Sequence, residues 1–148
     1  MAIIVEKRSL TPITVLLTVD APMIARNAQP GQFVMVRVHE WGERIPVTLT
    51  DFDTTRGTVT IVVQEVGKTT KMLRALEEGD DILDFVGPLG RPVDLPVQGH
   101  VALIGGGFGA GAILTLAKEL RSRGVTVSSI VGARTNDLVI LDQEGGAA

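Results

Sequence analysis

A run of glycines in the last third of the chain restricts the fold more than any other feature of the sequence. Glycines recur from Gly105 to Gly111, directly after a continuous apolar run at residues 101–104. Apolar residues then return at helical spacing until Gly124, and a second apolar run follows at residues 125–131. A strand, a glycine turn, a helix and a second strand form a βαβ unit, which requires a parallel sheet whose strands are buried on both faces.

The remaining residues supply too little for a complete parallel sheet. After the second apolar run, one further apolar stretch stands at residues 138–141, and the sequence then ends in glycine and alanine. A doubly wound sheet usually has five or six strands. We therefore expect an incomplete Rossmann-like α/β unit over residues 98–148.

Residues 1–97 follow a different pattern. Short stretches rich in β-branched residues alternate with turn signals. Val59, Ile61 and Val63 occupy alternate positions, as in a strand with one better-buried face. Strands are expected at residues 11–19, 33–39, 47–52, 58–66 and 81–86, with one short helix at 70–76. This spacing predicts a small antiparallel β-barrel.

Composition excludes several classes of function. The 148-residue chain has a net charge of −3 and no basic stripe with interleaved aromatic residues, so nucleic-acid binding is not expected. The absence of cysteine excludes disulfides, thiolate catalysis and an iron–sulfur cluster ligated by this chain. We find neither a signal peptide nor the run of about 18 apolar residues that a membrane span needs, and we expect a cytoplasmic protein.

The sequence GGGFGA at residues 105–110 fits the G-x-G-x-x-G/A fingerprint of dinucleotide-binding sites. Glycines there let the backbone approach a pyrophosphate at the helix N-terminus. A tight strand-to-helix turn would need similar residues, but the position within a βαβ unit favours nucleotide binding. The acidic residue that usually binds a ribose hydroxyl about 20 positions later is not evident. Arg134 stands after the second strand instead, where it could favour a 2′-phosphate or be merely solvated.

Two further motifs lie in the first part of the chain. GKTT at residues 67–70 lacks the earlier glycine of a P-loop, since Val62 occupies that position, so ATP binding is disfavoured. Its glycine, hydroxyls and helix N-terminus still suit a phosphate group. In RIPVT at residues 44–48, Arg44 can bind a diphosphate with two donors and Thr48 can hydrogen-bond a ring atom, although the sequence also suits an ordinary strand.

In this order, the three motifs resemble those of the ferredoxin–NADP reductase superfamily. GERIPVT at 42–48, QEVGKTT at 64–70, VGPLG at 86–90 and GAR at 132–134 are similar to one branch of it. That branch holds the small subunit of NADH-dependent ferredoxin:NADP oxidoreductase, sulfide dehydrogenase subunits and the electron-transfer subunit of dihydroorotate dehydrogenase B.

The resemblance implies a reductase-type FAD-binding barrel at residues 1–97 and an incomplete NAD(P)-binding unit at residues 98–148. It implies FAD as the bound cofactor, NAD(P)H as electron donor or acceptor, and an iron–sulfur or flavoprotein partner subunit in an oligomer or hetero-complex. The implied flavin-binding residues are Arg44, Ile45, Pro46, Val47, Thr48, Val62, Val63 and Gln64, with Gly67, Thr69 and Thr70 at the phosphates. The residues expected to face NAD(P)H are Gly106, Gly107 and Gly109, to which Arg134 is added from its position.

The sequence departs from the family pattern at three places. Relatives often have an aromatic residue where Val63 stands, and Ala-Pro where this chain has Gly111 and Ala112. They also continue through later strands and a cysteine cluster for a [2Fe–2S] centre.

The resulting functional interpretation is an FAD-dependent electron-transfer subunit between NAD(P)H and an iron–sulfur partner. Because the flavin carries the chemistry, no catalytic acid or base and no metal site is expected in the chain. The alternative is a truncated FAD-binding or assembly module without independent reductase activity. The incomplete sheet further predicts self-association or a required partner, and weak NAD(P)H binding.

Overall fold

A computed structural model describes residues 1–141, which form an antiparallel sheet of seven strands and a parallel sheet of two. The strands are β1 Ala2–Thr11, β2 Thr14–Asp20, β3 Phe33–Arg37, β4 Ile45–Asp53, β5 Thr58–Gln64, β6 Asp81–Ile82, β7 Asp84–Leu89, β8 His100–Gly106 and β9 Thr126–Gly132. The helices are α1 Pro22–Asn27, α2 Lys68–Ala75 and α3 Gly109–Ser122, and a 3₁₀ turn covers Asn136–Leu138.

The seven strands form a nearly closed barrel in the order β6-β1-β2-β5-β4-β3-β7. Its two edges are joined by one short piece of chain. β6 pairs with β1 at one edge, and β7 pairs with β3 at the other. Between them the Leu83 N–H donates to the Val38 carbonyl over 3.4 Å. The chain therefore crosses from one edge of the sheet to the other at residue 83.

The interior of the barrel is filled by alternate residues of its strands. Leu17 and Val19 of β2, together with Val59 and Ile61 of β5, have no exposed surface. The burial expected at the alternate positions Val59, Ile61 and Val63 is thus confirmed, since Val63 belongs to the same core. Burial of each such side chain stabilises the fold by roughly 1.5–3 kcal/mol relative to exposure.

A second apolar cluster joins the barrel to the parallel sheet. Leu16 and Val62 point outward from β2 and β5 and pack against Ala110 and Leu114 of α3. Ile140 and Leu141 belong to the same cluster, so the apolar stretch expected at 138–141 covers the junction between the sheets. The N-terminal half of α3 consequently lies on the outer surface of the barrel.

The expected fold class is confirmed, but several elements differ from the sequence prediction. β1 and α1 were not expected, and the strand expected at 11–19 begins only at Thr14 because residues 12 and 13 form a turn. The strand expected at 81–86 is two strands, since this segment changes partner from β1 to β3. No helix among residues 1–141 has the length and hydropathy needed to cross a membrane.

The apolar runs of the βαβ unit predict strands that need cover on both faces, and the described residues cover only one face. α3 packs on one face of the β8–β9 pair, and the residues pointing to the other face are exposed. Ile104 is 73% exposed and Ile130 is 57% exposed. Within residues 1–141, no element covers that second face, in agreement with the incomplete sheet expected from the sequence.

Candidate functional site

A cleft opens where two neighbouring barrel strands separate. The β4–β5 ladder begins at the pair Leu49–Ile61 and runs through Asp53 and Thr58. Before Leu49, β4 pairs with β3, and after Ile61, β5 pairs with β2. The sides of residues 45–48 and 62–64 that would face each other are thus free of ladder bonds, and their backbone groups are open to a ligand.

Pro46 fits this arrangement because it cannot donate a ladder hydrogen bond. It pairs with Met35 of β3 and lies before the β4–β5 ladder begins. Locally, β4 is therefore an edge strand, which is where proline is tolerated in sheets.

The cleft has a volume of about 200 Å³ and gathers most of the expected flavin-binding residues. Those at its wall are Ile45, Pro46, Val47, Thr48, Val62, Val63, Gln64 and Thr70. The wall also contains four residues that sequence reasoning missed, namely Thr50, Val66, Phe108 and Ala112. Three expected residues, Arg44, Gly67 and Thr69, do not line it.

The N-terminus of α2 stands at one end of this cleft. Its first intrahelical hydrogen bond joins the Lys71 N–H to the Gly67 carbonyl over 3.0 Å, so the amides of residues 68–70 lack helical acceptors. The Thr70 hydroxyl accepts hydrogen bonds from the amides of Val66 and Gly67, each at 2.9 Å, and donates to the Gly67 carbonyl. Thr69 is buried, which turns its side chain away from solvent. The free amides and the helix dipole suit an anion.

Arg44 is held by the carboxylate of Asp84, which lies on the barrel-closing segment, residues 81–84, where the chain crosses between the two sheet edges. Its Nη2 lies 2.9 Å from Asp84 Oδ2, and the Nε of Arg37 lies 2.6 Å from the same oxygen. The Arg37 hydrogen bond, followed by the charges of Arg37 and Arg44, holds the pKa of Asp84 below its ordinary value of 3.8, against the opposing effect of desolvation. The carboxylate is therefore ionised at neutral pH, and Arg44 is tied to it.

The glycine turn forms a second and larger cleft of about 830 Å³. Gly107 has a left-handed φ of +54°, which favours glycine, and its N–H donates to the Gly132 carbonyl over 2.7 Å. A Cβ at Gly106 or Gly109 would meet no atom within 4 Å, so both backbones face open space. Gly106, Gly107 and Arg134 line this cleft, whereas Gly109 begins α3 outside its wall.

The two clefts adjoin. Both are lined by Gln64, Val66 and Phe108. Val66 is 79% exposed and Phe108 is 59% exposed, so this shared wall is open to solvent. The signal for Phe108 was present in the sequence, since it is the only large residue within the glycine turn.

The two histidines lie apart from both clefts and have local partners. His39 Nε2 lies 3.1 Å from Met72 Sδ, and His100 Nε2 lies 2.8 Å from Ser128 Oγ. Among the described residues there is no cluster of three or more His, Cys, Asp or Glu side chains suited to a metal ion.

Comparison with known proteins shows what the chain is similar to. No protein-family model matches the chain. It is 44% identical over 126 residues to a homologue of the electron-transfer subunit of dihydroorotate dehydrogenase B (NAD(+)) from Thermotoga maritima, covering 85% of this chain and 45% of that protein. It is 35% identical to the corresponding subunit from Geobacillus thermodenitrificans, covering 97% of this chain and 58% of that protein.

Solved structures give the same result. The structure of an NADH-dependent reduced ferredoxin–NADP oxidoreductase, described for flavin-based electron bifurcation, superposes with a TM-score of 0.93 at 41% identity, covering 97% of this chain and 52% of that one. Phthalate dioxygenase reductase, at 19% identity and a TM-score of 0.78, shares the fold. The chain spans about half the length of the curated relatives it matches. Its curated relatives are thus electron-transfer subunits of dihydroorotate dehydrogenase B, and its fold is that of the NADH-dependent ferredoxin–NADP oxidoreductase and related reductases.

Proposed function

We propose that this chain is the FAD-binding part of an electron-transfer subunit that passes electrons between NAD(P)H and an iron–sulfur or flavoprotein partner. In this proposal residues 1–97 bind FAD and residues 98–148 contribute to the NAD(P)H site. The observation that supports it most is the shared wall of the two clefts, formed by Gln64, Val66 and Phe108. A hydride can pass directly only between rings that lie in contact.

The chain binds and orients the flavin ring in the cleft between β4 and β5. Bound FAD would supply the redox chemistry, as it can take up one hydride, with its two electrons, from NAD(P)H and pass these electrons singly to the partner. The unpaired backbone of residues 45–48 and 62–64 supplies donors and acceptors for the ring edge, and Thr48 and Gln64 add side-chain groups. Apolar side chains of Ile45, Val47 and Val62 exclude water from the ring face. No proton transfer by a side chain is required.

The same site has groups for a diphosphate. The free amides of residues 68–70 lie at the end of the cleft, whose wall includes Thr70. Arg44 directly precedes β4. Arg44 is 58% exposed, so much of its guanidinium is accessible. Two positive sources on separate elements match the two phosphates of FAD better than the single phosphate of FMN.

The glycine turn is proposed to hold the dinucleotide of NAD(P)H. The open backbone of Gly106, Gly107 and Gly109 lets a pyrophosphate approach the start of α3. Arg134 at the wall of the same cleft is suited to a phosphate of the adenosine half.

Identification of the flavin tests the proposal. We expect heat-released cofactor from the purified protein to chromatograph as FAD, and the Arg44→Ala variant to bind FAD more weakly by about 1.5–3 kcal/mol, as for a hydrogen bond to a charged group. Arg121→Ala, at the far end of α3 from the glycine turn, is the matched control and should bind FAD normally. Recovery of FMN alone, or an unchanged Arg44→Ala, would contradict this site.

A second candidate is an FAD-binding or assembly module without reductase activity. The exposed face of β8 and β9 favours it, because a nicotinamide site normally draws on further strands of the sheet. Stopped-flow mixing of the flavin-loaded protein with NADH and NADPH separates the two. Rapid bleaching of the flavin supports the electron-transfer subunit, and stable oxidised flavin supports the module.

A further inference from the structure

One carboxylate connects the barrel-closing segment to the arginine proposed to bind the diphosphate. Asp84 Oδ2 accepts from Arg37 Nε at 2.6 Å and from Arg44 Nη2 at 2.9 Å. The Asp84 side chain is 23% exposed and that of Arg37 is 21% exposed, against 58% for Arg44. Asp84 and Arg37 thus form a partly buried ion pair, and the more exposed Arg44 extends from this pair toward solvent.

The β-sheet fixes the relative positions of Arg37 and Asp84. Arg37 and Asp84 are direct neighbours in the β3–β7 ladder, so the backbone sets their separation. Arg37 Nη1 also donates to the Glu40 carbonyl over 3.3 Å, within the loop that leads to Arg44. The carboxylate therefore has little freedom to move.

Arg44 uses only part of its hydrogen-bonding capacity in this contact. A guanidinium has five N–H donors, and Arg44 donates to Asp84 through Nη2. The remaining donors lie on an exposed side chain. A long side chain held at one nitrogen loses less conformational freedom when it binds a second anion. Ionised Asp84 also screens the repulsion between the two guanidinium groups.

We propose that Asp84 is a positioning residue for the flavin site, which holds Arg44 so that its free donors meet the diphosphate of FAD. This inference rests on the proposed function. It assigns a role in cofactor selection to a residue of the segment that closes the barrel, outside both clefts.

Asp84 could also affect FAD binding in the opposite direction. Asp84 carries a negative charge and could compete with the diphosphate for Arg44. Positioning and competition change FAD affinity in opposite directions when the charge is removed. A purely structural role would change the affinity of every flavin equally, including riboflavin, which has no phosphate.

The test compares FAD and riboflavin affinities of Asp84→Asn, Asp84→Ala and the wild type by flavin fluorescence titration. Positioning predicts FAD binding weaker by about 5- to 30-fold in Asp84→Asn, the range that corresponds to about one or two kcal/mol. Asp84→Ala, which also removes the acceptor oxygen, should lose more. Riboflavin affinity should stay unchanged in both. Asp53→Asn is the matched control, since it also removes one negative charge. The Asp53 carboxylate accepts hydrogen bonds from the backbone amides of Thr55 and Arg56, in a different part of the barrel.

A double-mutant cycle adds a second readout. In an Arg44→Ala background, Asp84→Asn should have no further effect on FAD affinity. If the Asp84 variants fail to fold, Arg37→Lys tests the same network from its other side, because lysine cannot reproduce the bonds to both Asp84 and Glu40.

The outcomes separate this inference from the function on which it rests. Unchanged or tighter FAD binding in Asp84→Asn overturns positioning and leaves the flavin site standing. An equal loss of FAD and riboflavin also overturns it. A wild-type protein that binds no flavin refutes the proposed function itself, and the positioning role with it.

Discussion

Asp84 also makes the stability of the barrel depend on pH. Its pKa lies below 3.8 in the folded protein, chiefly because of the Arg37 hydrogen bond. For a carboxyl with a lowered pKa, the stabilising contribution is complete above the unfolded-state pKa and is lost as the pH falls through the folded-state pKa. The contribution of Asp84 should therefore be present at neutral pH and disappear in acid, below the unfolded value.

Urea unfolding of wild type and Asp84→Asn from about pH 6 to about pH 2 measures this contribution. We expect wild type to be the more stable at the upper end, with the difference in free energy of unfolding decreasing as the pH falls below the unfolded-state pKa of Asp84. Asp53, whose pKa is lowered mainly by the Arg56 amide, loses its own contribution in both proteins and so cancels. A difference that is constant with pH would show that the two proteins differ by something other than this ionisation.

Single residues also show what the sequence could not reveal at the site. Arg44, Thr48, Gln64 and the glycine turn could be selected because each belongs to a local motif. The partnership of Arg44 with Asp84 could not, since the two residues are 40 positions apart and meet only when the barrel closes. The resemblance implied that both Thr69 and Thr70 lie at the phosphates; the structure buries Thr69, whereas Thr70 lines the cleft.

At the level of elements, the junction between α3 and the barrel depends on the small size of Gly111. A Cβ there would lie 2.8 Å from Thr50 Oγ1 and 3.3 Å from Val62 Cβ. Thr50 is 2% exposed, and its Cγ2 lies 3.4 Å from the same point, so rotation of its side chain replaces one close contact with another. The helix can approach the strands this closely because residue 111 has no side chain.

We expect Gly111→Ala to destabilise the protein by about 1–3 kcal/mol through overpacking, in spite of the higher helix propensity of alanine. Gly109→Ala is the matched control, because a Cβ there meets open space, and it should be neutral or stabilising by up to about 1 kcal/mol. Thr50→Ala in the Gly111→Ala background should restore part of the loss. Thermal or urea unfolding measures all three, and a neutral Gly111→Ala would mean that the helix shifts freely on the barrel.

The elements that sequence reasoning found and missed differ in the strength of their local patterns. β5 has apolar residues at the alternate positions Val59, Ile61 and Val63, and α3 follows glycines and has helical spacing, so both were predicted. β1 carries Glu6, Lys7 and Arg8 at its centre and shows no clear alternation. α1 has six residues and begins with proline, which sequence patterns do not separate from a turn. The break between β6 and β7 is set by sheet closure, a long-range event.

At the scale of the whole molecule, the uncovered face of β8 and β9 is expected to cause association. Ile104 and Ile130 are neighbours across the two strands and both are more than half exposed. Apolar residues on such a face favour contact with another chain. The double variant Ile104→Thr/Ile130→Thr keeps β-branched residues suited to strands while reducing the apolar surface.

Sedimentation velocity over a range of protein concentrations tests this expectation. We expect the wild type to associate as concentration rises and the double variant to stay closer to monomer. A matched change at another exposed aliphatic residue, Val97→Thr in the connection before β8, should leave association unchanged. A wild type that is monomeric throughout would show that the exposed strand face is not adhesive.

The way the barrel closes has a consequence for the order of events during synthesis. β1 is made first, yet its second neighbour is β6, whose paired residues Asp81 and Ile82 come almost at the end of the barrel sequence. Until that segment has left the ribosome, β1 of the nascent chain can pair only with β2, and the other edge of β1 has no partner strand. The next residues to emerge include Asp84, which reaches Arg44. The pairing of β1 with β6 and the contact of Asp84 with Arg44 thus become possible at the same stage of synthesis. A chain that ends before residue 81 can form neither.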